Sequence, residues 1–252
     1  MPSWNIHTAI VERFLADNDA ASLGIADENA FLFGNYVPDI YVGYMVPDAT
    51  MRIDYCITHV AAIHSTPIPN ADHFWDFCIA RRAPQAPAGM SLTLGAWAHL
   101  VADRFYNGRF RGWCDAHETP SGDALRIAKQ ADFEVFGRSL VLSREVDVTP
   151  ELRDAAWKFK PYRILGADVE RAVKVASGIV RSGGAPSPDG SAYQLLDPAW
   201  MQGVLDDCAE RLAVWLAAWR RLEAAGASCK ASEVRQEAGL PPATPLDTSW
   251  LK

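Results

Sequence analysis

The run LGAWAHLVADRFY, residues 94–106, constrains this chain more than any other stretch. Leu94, Trp97, Leu100, Val101, Phe105 and Tyr106 cover most of a helical circumference, so the helix must be buried. His99 and Asp103 nevertheless lie within it, and positions i and i+4 of a helix share one face. A carboxylate buried without a partner costs several kcal/mol, so a partner must exist. It is a metal ion, an arginine, or His99 itself. Gly95 and Ala96, one turn earlier, leave room for an ion, a ligand or a close helix.

Other polar residues bear on that choice. All six histidines fall between residues 7 and 117. His7 heads the first apolar-periodic segment, and Asp39 follows Pro38 in GNYVPDI. His59, His64 and His73 come next. Imidazole and carboxylate ligands suit zinc and other borderline metals, with manganese or iron accepted by the same set. Each residue also has an ordinary reading. His7 can flank a helix, Asp39 can make a turn, and His73 can lie on a solvated face.

Helical periodicity recurs along the chain. It runs through NIHTAIVERFLA, the start of DENAFLFG and NADHFWDFCIARR, where Asn70 or Asp72 is the expected cap. APQAPAGM reads as a linker into the LGAWAHL helix, which should give way to a loop at Gly108 and Gly112. RIDYCITHVAAIH fits strand or helix. The segment from Gly34 to Pro47 reads as a loop, because Pro38 and Pro47 disfavour helix before them. Further helices are expected in SGDALRIAKQADFEVFGRSLVL (capped by Ser121 or Asp123), TPELRDAAWKF, GADVERAVKVASGIVRSG and the long DPAWMQ…EAAG pattern. GGAPSPDGS is expected as a flexible loop. No alternating strands with hairpin turns appear, so the expected class is all-α. One helical domain should span 1–225, followed by a polar, proline-containing tail at 226–252.

A hydrophobic share of 49% over 252 residues supports a large core. The net charge of −7 argues against a nucleic-acid surface, which needs clustered Lys and Arg. The five cysteines are odd in number and show no CxxC spacing, which fits reduced thiols and a cytoplasmic location. No signal peptide and no membrane span are expected. Trp215, Leu216 and Trp219 on the long C-terminal helix should pack on their own domain, with dimerisation as the alternative; the oligomeric state is open.

MPSWNIH, FLFGNYVPDI, ITHV and LGAWAHLVADRFY resemble, in order, motifs of the zinc-dependent phospholipase C family, which is similar in fold to S1/P1-type nucleases. The match covers about residues 1–110. The resemblance implies a multi-helix bundle whose metal cluster cleaves phosphoric ester bonds, with a C-terminal helical elaboration. His7, Asp39, His59, His99 and Asp103 would be the metal ligands, Asp103 bridging two ions. Asp39 and Asp103 would be the catalytic carboxylates. His64 and His73 are rivals for the His59 position. The pattern departs at Trp4, which lies inside the chain although secreted members use an N-terminal tryptophan amino group. It departs again at Arg109, where the family places another histidine, and at the adjacent His117 and Glu118. Asp132 or Glu134 could supply a replacement carboxylate. One or two zinc ions, not three, are therefore expected.

The implied substrate is a small-molecule or lipid phosphoester. Zinc lowers the pKa of water towards neutrality, and Asp39 could orient or deprotonate the attacking water. Arg104, Arg109 and Arg111 could pair with phosphate oxygens. Tyr36, Tyr41, Tyr44 and Trp97 are candidates for an apolar wall. The alternative is a catalytically degenerate protein of the same fold, with a structural or vestigial metal site and a binding role. An HD-type phosphohydrolase would need a His-Asp dipeptide, which the sequence lacks.

Overall fold

The computed structural model describes residues 2–64, 66–81, 86–120, 122–184 and 193–242. The described residues form eleven helices and no strand, so the chain is all-α. In order these are α1 (Trp4–Asp17), α2 (Glu28–Gly34), α3 (Val37–Ile40), α4 (Tyr55–Thr58), α5 (Ala71–Cys78) and α6 (Pro87–Ala116). They continue as α7 (Asp123–Ser139), α8 (Pro150–Trp157), α9 (Gly166–Ser182), α10 (Pro198–Ala224) and α11 (Ala231–Glu237). No helix among the described residues is long and apolar enough to cross a membrane.

Several caps follow the expected chemistry. Asn70 accepts from the His73 amide, Thr149 from Leu152 and Asp197 from Trp200, each relieving one orphan donor of a first turn. Asp123 is the first residue of α7, not its cap; Ser121 lies outside the described residues, as do parts of the 183–191 loop and of the linker before α6.

Two expectations are corrected. The segment after Gly34 is not all loop: Val37–Ile40 closes one helical turn, because Pro38 in a first turn loses no intrahelical hydrogen bond. The central helix does not stop at Gly108 but runs to Ala116. Gly108 and Gly112 are exposed there, and each costs only about 1 kcal/mol against alanine. Tyr106, Asn107 and Phe110 keep one face buried across them.

The long central helix α6 is the axis of the molecule and packs against α1, α2, α3, α5, α8 and α10. Its contact with α2 is the closest. A methyl group on Gly95 would overlap the Phe31 carbonyl oxygen and stand 2.9 Å from the Cα of Gly34. A methyl group on Gly34 would overlap the Leu92 carbonyl. Small residues before His99 thus serve a close helix.

On another face of α6, Trp97 meets Trp75 (centroids 4.9 Å) and Trp215 (5.5 Å), and Trp75 meets Trp219 (5.5 Å). Trp215, Leu216 and Trp219 therefore pack on their own domain. The start of the expected tail carries α11, which docks on α5 and α10. Arg235 there grips Asp72 through two guanidinium nitrogens at 2.6–3.1 Å.

Candidate metal centre

Four elements deliver five polar side chains to one point. His7 comes from α1, Asp39 from α3, His59 from the residue that ends α4, and His99 with Asp103 from α6. All five are at most 2% exposed. The rivals do not arrive. His64 is exposed and accepts from the Thr66 amide, and His73 is exposed and stacks on Phe77. His117 is exposed and bonds the Trp113 carbonyl, and Glu118 is exposed beside it. Glu134 pairs with Arg138 on the surface. Asp132 is buried but accepts the amides of Gln194, Leu195 and Leu196, so it anchors the chain before α10.

The donor atoms are close. His59 Nε2 lies 3.1 Å from His99 Nε2, and 3.5 Å from both Asp39 Oδ1 and Asp103 Oδ2. His99 Nε2 is 3.9 Å from Asp39 Oδ2 and from Asp103 Oδ2. His7 Nε2 is 3.3 Å from Asp103 Oδ1. Two sets of three, His7–His99–Asp103 and Asp39–His59–His99, each keep their donor atoms within 4.8 Å of one another. Asp103 turns one oxygen to His7 and the other to His59.

Hydrogen bonding assigns the tautomers. His99 Nδ1 donates to the Asn35 carbonyl at 2.8 Å, which leaves Nε2 a bare lone pair while the ring is neutral. Burial, and after it the neighbouring His7, push the His99 pKa down to about 3 against the opposing pull of the two aspartates, so the ring is neutral at pH 7. Thr58 Oγ1 donates to the Tyr55 carbonyl and therefore accepts from His59 Nδ1, 2.8 Å away. With its Nδ1 proton directed to Thr58, a His59 ring without a second proton also turns a bare Nε2 lone pair inward. Two lone pairs facing each other at 3.1 Å repel unless a cation lies between them.

Charge makes the same demand. Burial drives both carboxyls up; positive charge on or between the adjacent imidazoles outweighs it and holds Asp39 and Asp103 below the ordinary carboxylate range. Two carboxylates are therefore buried together. No lysine or arginine forms an ion pair with either among the described residues. Both ring nitrogens of His7, and Asp103 Oδ1, are buried without a hydrogen-bond partner. Such orphaned groups each cost about 1–3 kcal/mol unless something binds them. The donor set fits a divalent cation: ligands about 2.0–2.1 Å from a tetrahedral zinc lie roughly 3.3–3.5 Å apart. These side chains could thus hold a metal ion.

Further groups support the five. The Trp4 indole N–H donates to Asp39 Oδ2 at 3.0 Å, so Trp4 contributes through its side chain. Tyr55 donates to Asp103 Oδ2 at 3.1 Å and Tyr44 to Asp39 Oδ1 at 3.4 Å. Burial, reinforced by the aspartates, raises both phenol pKa values well above normal, so both remain donors. A cavity of about 490 Å³ opens beside Asp39, lined by Tyr44, Tyr55, Arg126 and Lys129 among others. Lys129 is 3% exposed, lies over the rings of Phe110 and Phe133, and donates to Asn107 Oδ1 at 3.4 Å. Its one sequence signal is a lysine on the buried face of α7, four residues before Phe133.

The arginines expected to meet phosphate lie elsewhere. Arg104 reaches the Pro69 carbonyl, Arg109 pairs with Asp207, and Arg111 bonds the Thr66 carbonyl. None of them lines the cavity beside Asp39. Arg104 is one residue past Asp103, a rotation of about 100° about the helix axis. Of the proposed wall residues only Tyr44 lines that cavity; Tyr36 and Tyr41 are core, and Trp97 faces the tryptophan cluster. Asp168 on α9 ties down the chain after α3, accepting from the Tyr41 hydroxyl at 3.0 Å and the Thr50 amide at 3.1 Å. No family model, curated protein or solved structure matches this chain.

Proposed function

We propose that the protein is a metal-dependent, zinc-type hydrolase of phosphoric ester bonds, phospholipase C-like in its chemistry. The observation that carries the reading is the convergence of the His59 and His99 Nε2 atoms, 3.1 Å apart, with two buried aspartates 3.5 Å from His59. His7, Asp39, His59, His99 and Asp103 would hold one or two ions. A bound zinc ion acts as a Lewis acid on a phosphoryl oxygen and brings the pKa of water towards neutrality.

The chain supplies the rest. Asp39 is ionised, reaches the cavity and accepts from Trp4 and Tyr44, so it can orient a water and take its proton. Lys129 and Arg126 line the same cavity, and their charges, now held by Asn107 and Asp123, could turn to phosphoryl oxygens there. Tyr55 fixes the carboxylate of Asp103. A small-molecule or lipid phosphoester is the substrate class that this cation-edged cavity suits.

A structural metal site with no activity is the competing reading, favoured by the full burial of every imidazole. One series of measurements separates the two. Protein purified without added metal should carry at least one equivalent of a transition metal, and His99→Ala should lose it. Full occupancy in that variant overturns the ligand assignment. Hydrolysis of bis-(p-nitrophenyl) phosphate should fall to background in Asp103→Ala. Metal-loaded protein that hydrolyses neither this ester nor p-nitrophenyl phosphate is a structural metalloprotein.

A further inference from the structure

A second cavity, of about 240 Å³, lies on the tryptophan side of α6, away from the histidines. Its floor is apolar, formed by Trp97, Val101 and Trp215, all at most 7% exposed. Four guanidiniums line it, from Arg104 and Arg109 on α6, Arg211 on α10 and Arg235 on α11. Asp72 is the one carboxylate in the lining, and it is committed to Arg235. Arg109 pairs with Asp207 at 2.5 Å. Arg104 and Arg211 form no ion pair among the described residues. Arg104 has a long 3.3 Å bond to a carbonyl, and Arg211 lies 5.4 Å over the Phe105 ring.

Two guanidiniums with no contacting carboxylate therefore stand in a recess with an apolar floor. Guanidiniums do not deprotonate in proteins, so an anion entering the recess meets fixed positive charge. Forked guanidiniums match a phosphate or carboxylate oxyanion, and two of them match a dianion. The volume lies below the roughly 300–1,000 Å³ of drug-sized sites, so the ligand is small. The Phe105 ring is overlain by the Arg109 and Arg211 guanidiniums and Trp215 by that of Arg235, so the uncharged part of a ligand would meet the apolar floor of Trp97, Val101 and Trp215.

We infer that this cavity binds a small aryl-bearing dianion of the phosphate-monoester type, gripped by Arg104 and Arg211 with its ring on the apolar floor of Trp97, Val101 and Trp215. The site is separate from the metal centre and does not depend on it. Because Trp97 and Trp215 form the floor, occupancy should change tryptophan fluorescence.

The test is titration of the full chain with phenyl phosphate, by calorimetry and by fluorescence, in phosphate-free buffer with and without zinc. One site, weakened by added salt, is expected without zinc; with zinc it persists beside any binding of the ester at the metal centre. Benzoate, with one charge, should bind at least tenfold more weakly, and inorganic phosphate should bind without the fluorescence change. Arg211→Gln and Arg104→Gln should each weaken phenyl phosphate about tenfold or more, and Asp39→Asn should leave it unchanged. Each variant is also read by the ligand-dependent rise in its melting temperature, so a less stable variant still reports binding. Failure to bind at millimolar phenyl phosphate overturns the inference. So does affinity that survives both arginine substitutions, or that disappears in Asp39→Asn.

Discussion

At the scale of single residues, the metal centre is a set of groups that burial alone would not tolerate. His99 makes this measurable in the metal-free protein. Its folded pKa, about 3, lies below the ordinary imidazole value near 6.5. Between those values the unfolded chain holds a proton that the folded chain does not, so stability rises with pH across the window and is lost as pH falls through it. The slope from one such group approaches 1.4 kcal/mol per pH unit. Urea midpoints of chelated wild type between pH 7 and pH 4 should therefore fall more steeply than those of chelated His99→Gln; equal slopes would show that His99 is not buried neutral. His99 and Asp103 were legible as polar groups inside an apolar helix and Asp39 as a carboxylate behind a stiffening proline, whereas the choice of His7, and of His59 over His64 and His73, rested on the family resemblance. Asn35 was not legible, because it acts through a backbone carbonyl that every residue possesses. Nor were Lys129, Tyr55 and the indole of Trp4, whose partners are chosen by packing across many tens of residues.

The elements explain how such groups are brought together. The α2–α6 contact is close because Gly34 and Gly95 face each other, and that closeness brings the Asn35 carbonyl to His99 Nδ1. Gly95→Ala forces a methyl group against the Phe31 carbonyl, which is backbone and cannot rotate away. Overpacking of this kind costs about 1–3 kcal/mol. Here it should also lengthen the Asn35–His99 bond and so reduce metal content, although residue 95 touches no proposed ligand atom. Gly108→Ala on the same helix is the control. Nothing stands within 4 Å of a methyl group there, so the change should be neutral or stabilising by up to about 1 kcal/mol. Denaturant midpoints and metal analysis of both variants check the pair; equal behaviour would remove the helix contact from the account. The same comparison shows where sequence reading failed. An exposed glycine and a glycine at a helix crossing look alike in one dimension, so Gly108 was read as a break although the buried face continues through Phe110.

For the whole molecule, the consequence lies in which elements the proposed ligands come from. α1, α3, the end of α4 and α6 together span residues 4–116, and no short segment contains more than two of the five side chains. An ion bound there would cross-link segments that the unfolded chain holds far apart. It would bind the folded state almost exclusively, so its binding energy would act as folding energy for the whole bundle. At a free zinc concentration of a hundred dissociation constants the gain is about 2.7 kcal/mol. A chain of this size gains about 2–4 °C in melting temperature per kcal/mol. Chelation should therefore lower the melting temperature of the purified protein by several degrees, zinc should restore it with a concentration-dependent rise, and Asp103→Asn should abolish that rise. Phenyl phosphate bound among Arg104 and Arg211 should add its own increment in Asp103→Asn, because its partners lie on another face of α6 and on α10. Additive shifts would mean two independent sites on one central helix. A zinc shift that persists in Asp103→Asn would place the ion away from the buried aspartates, and the hydrolase reading would lose its support.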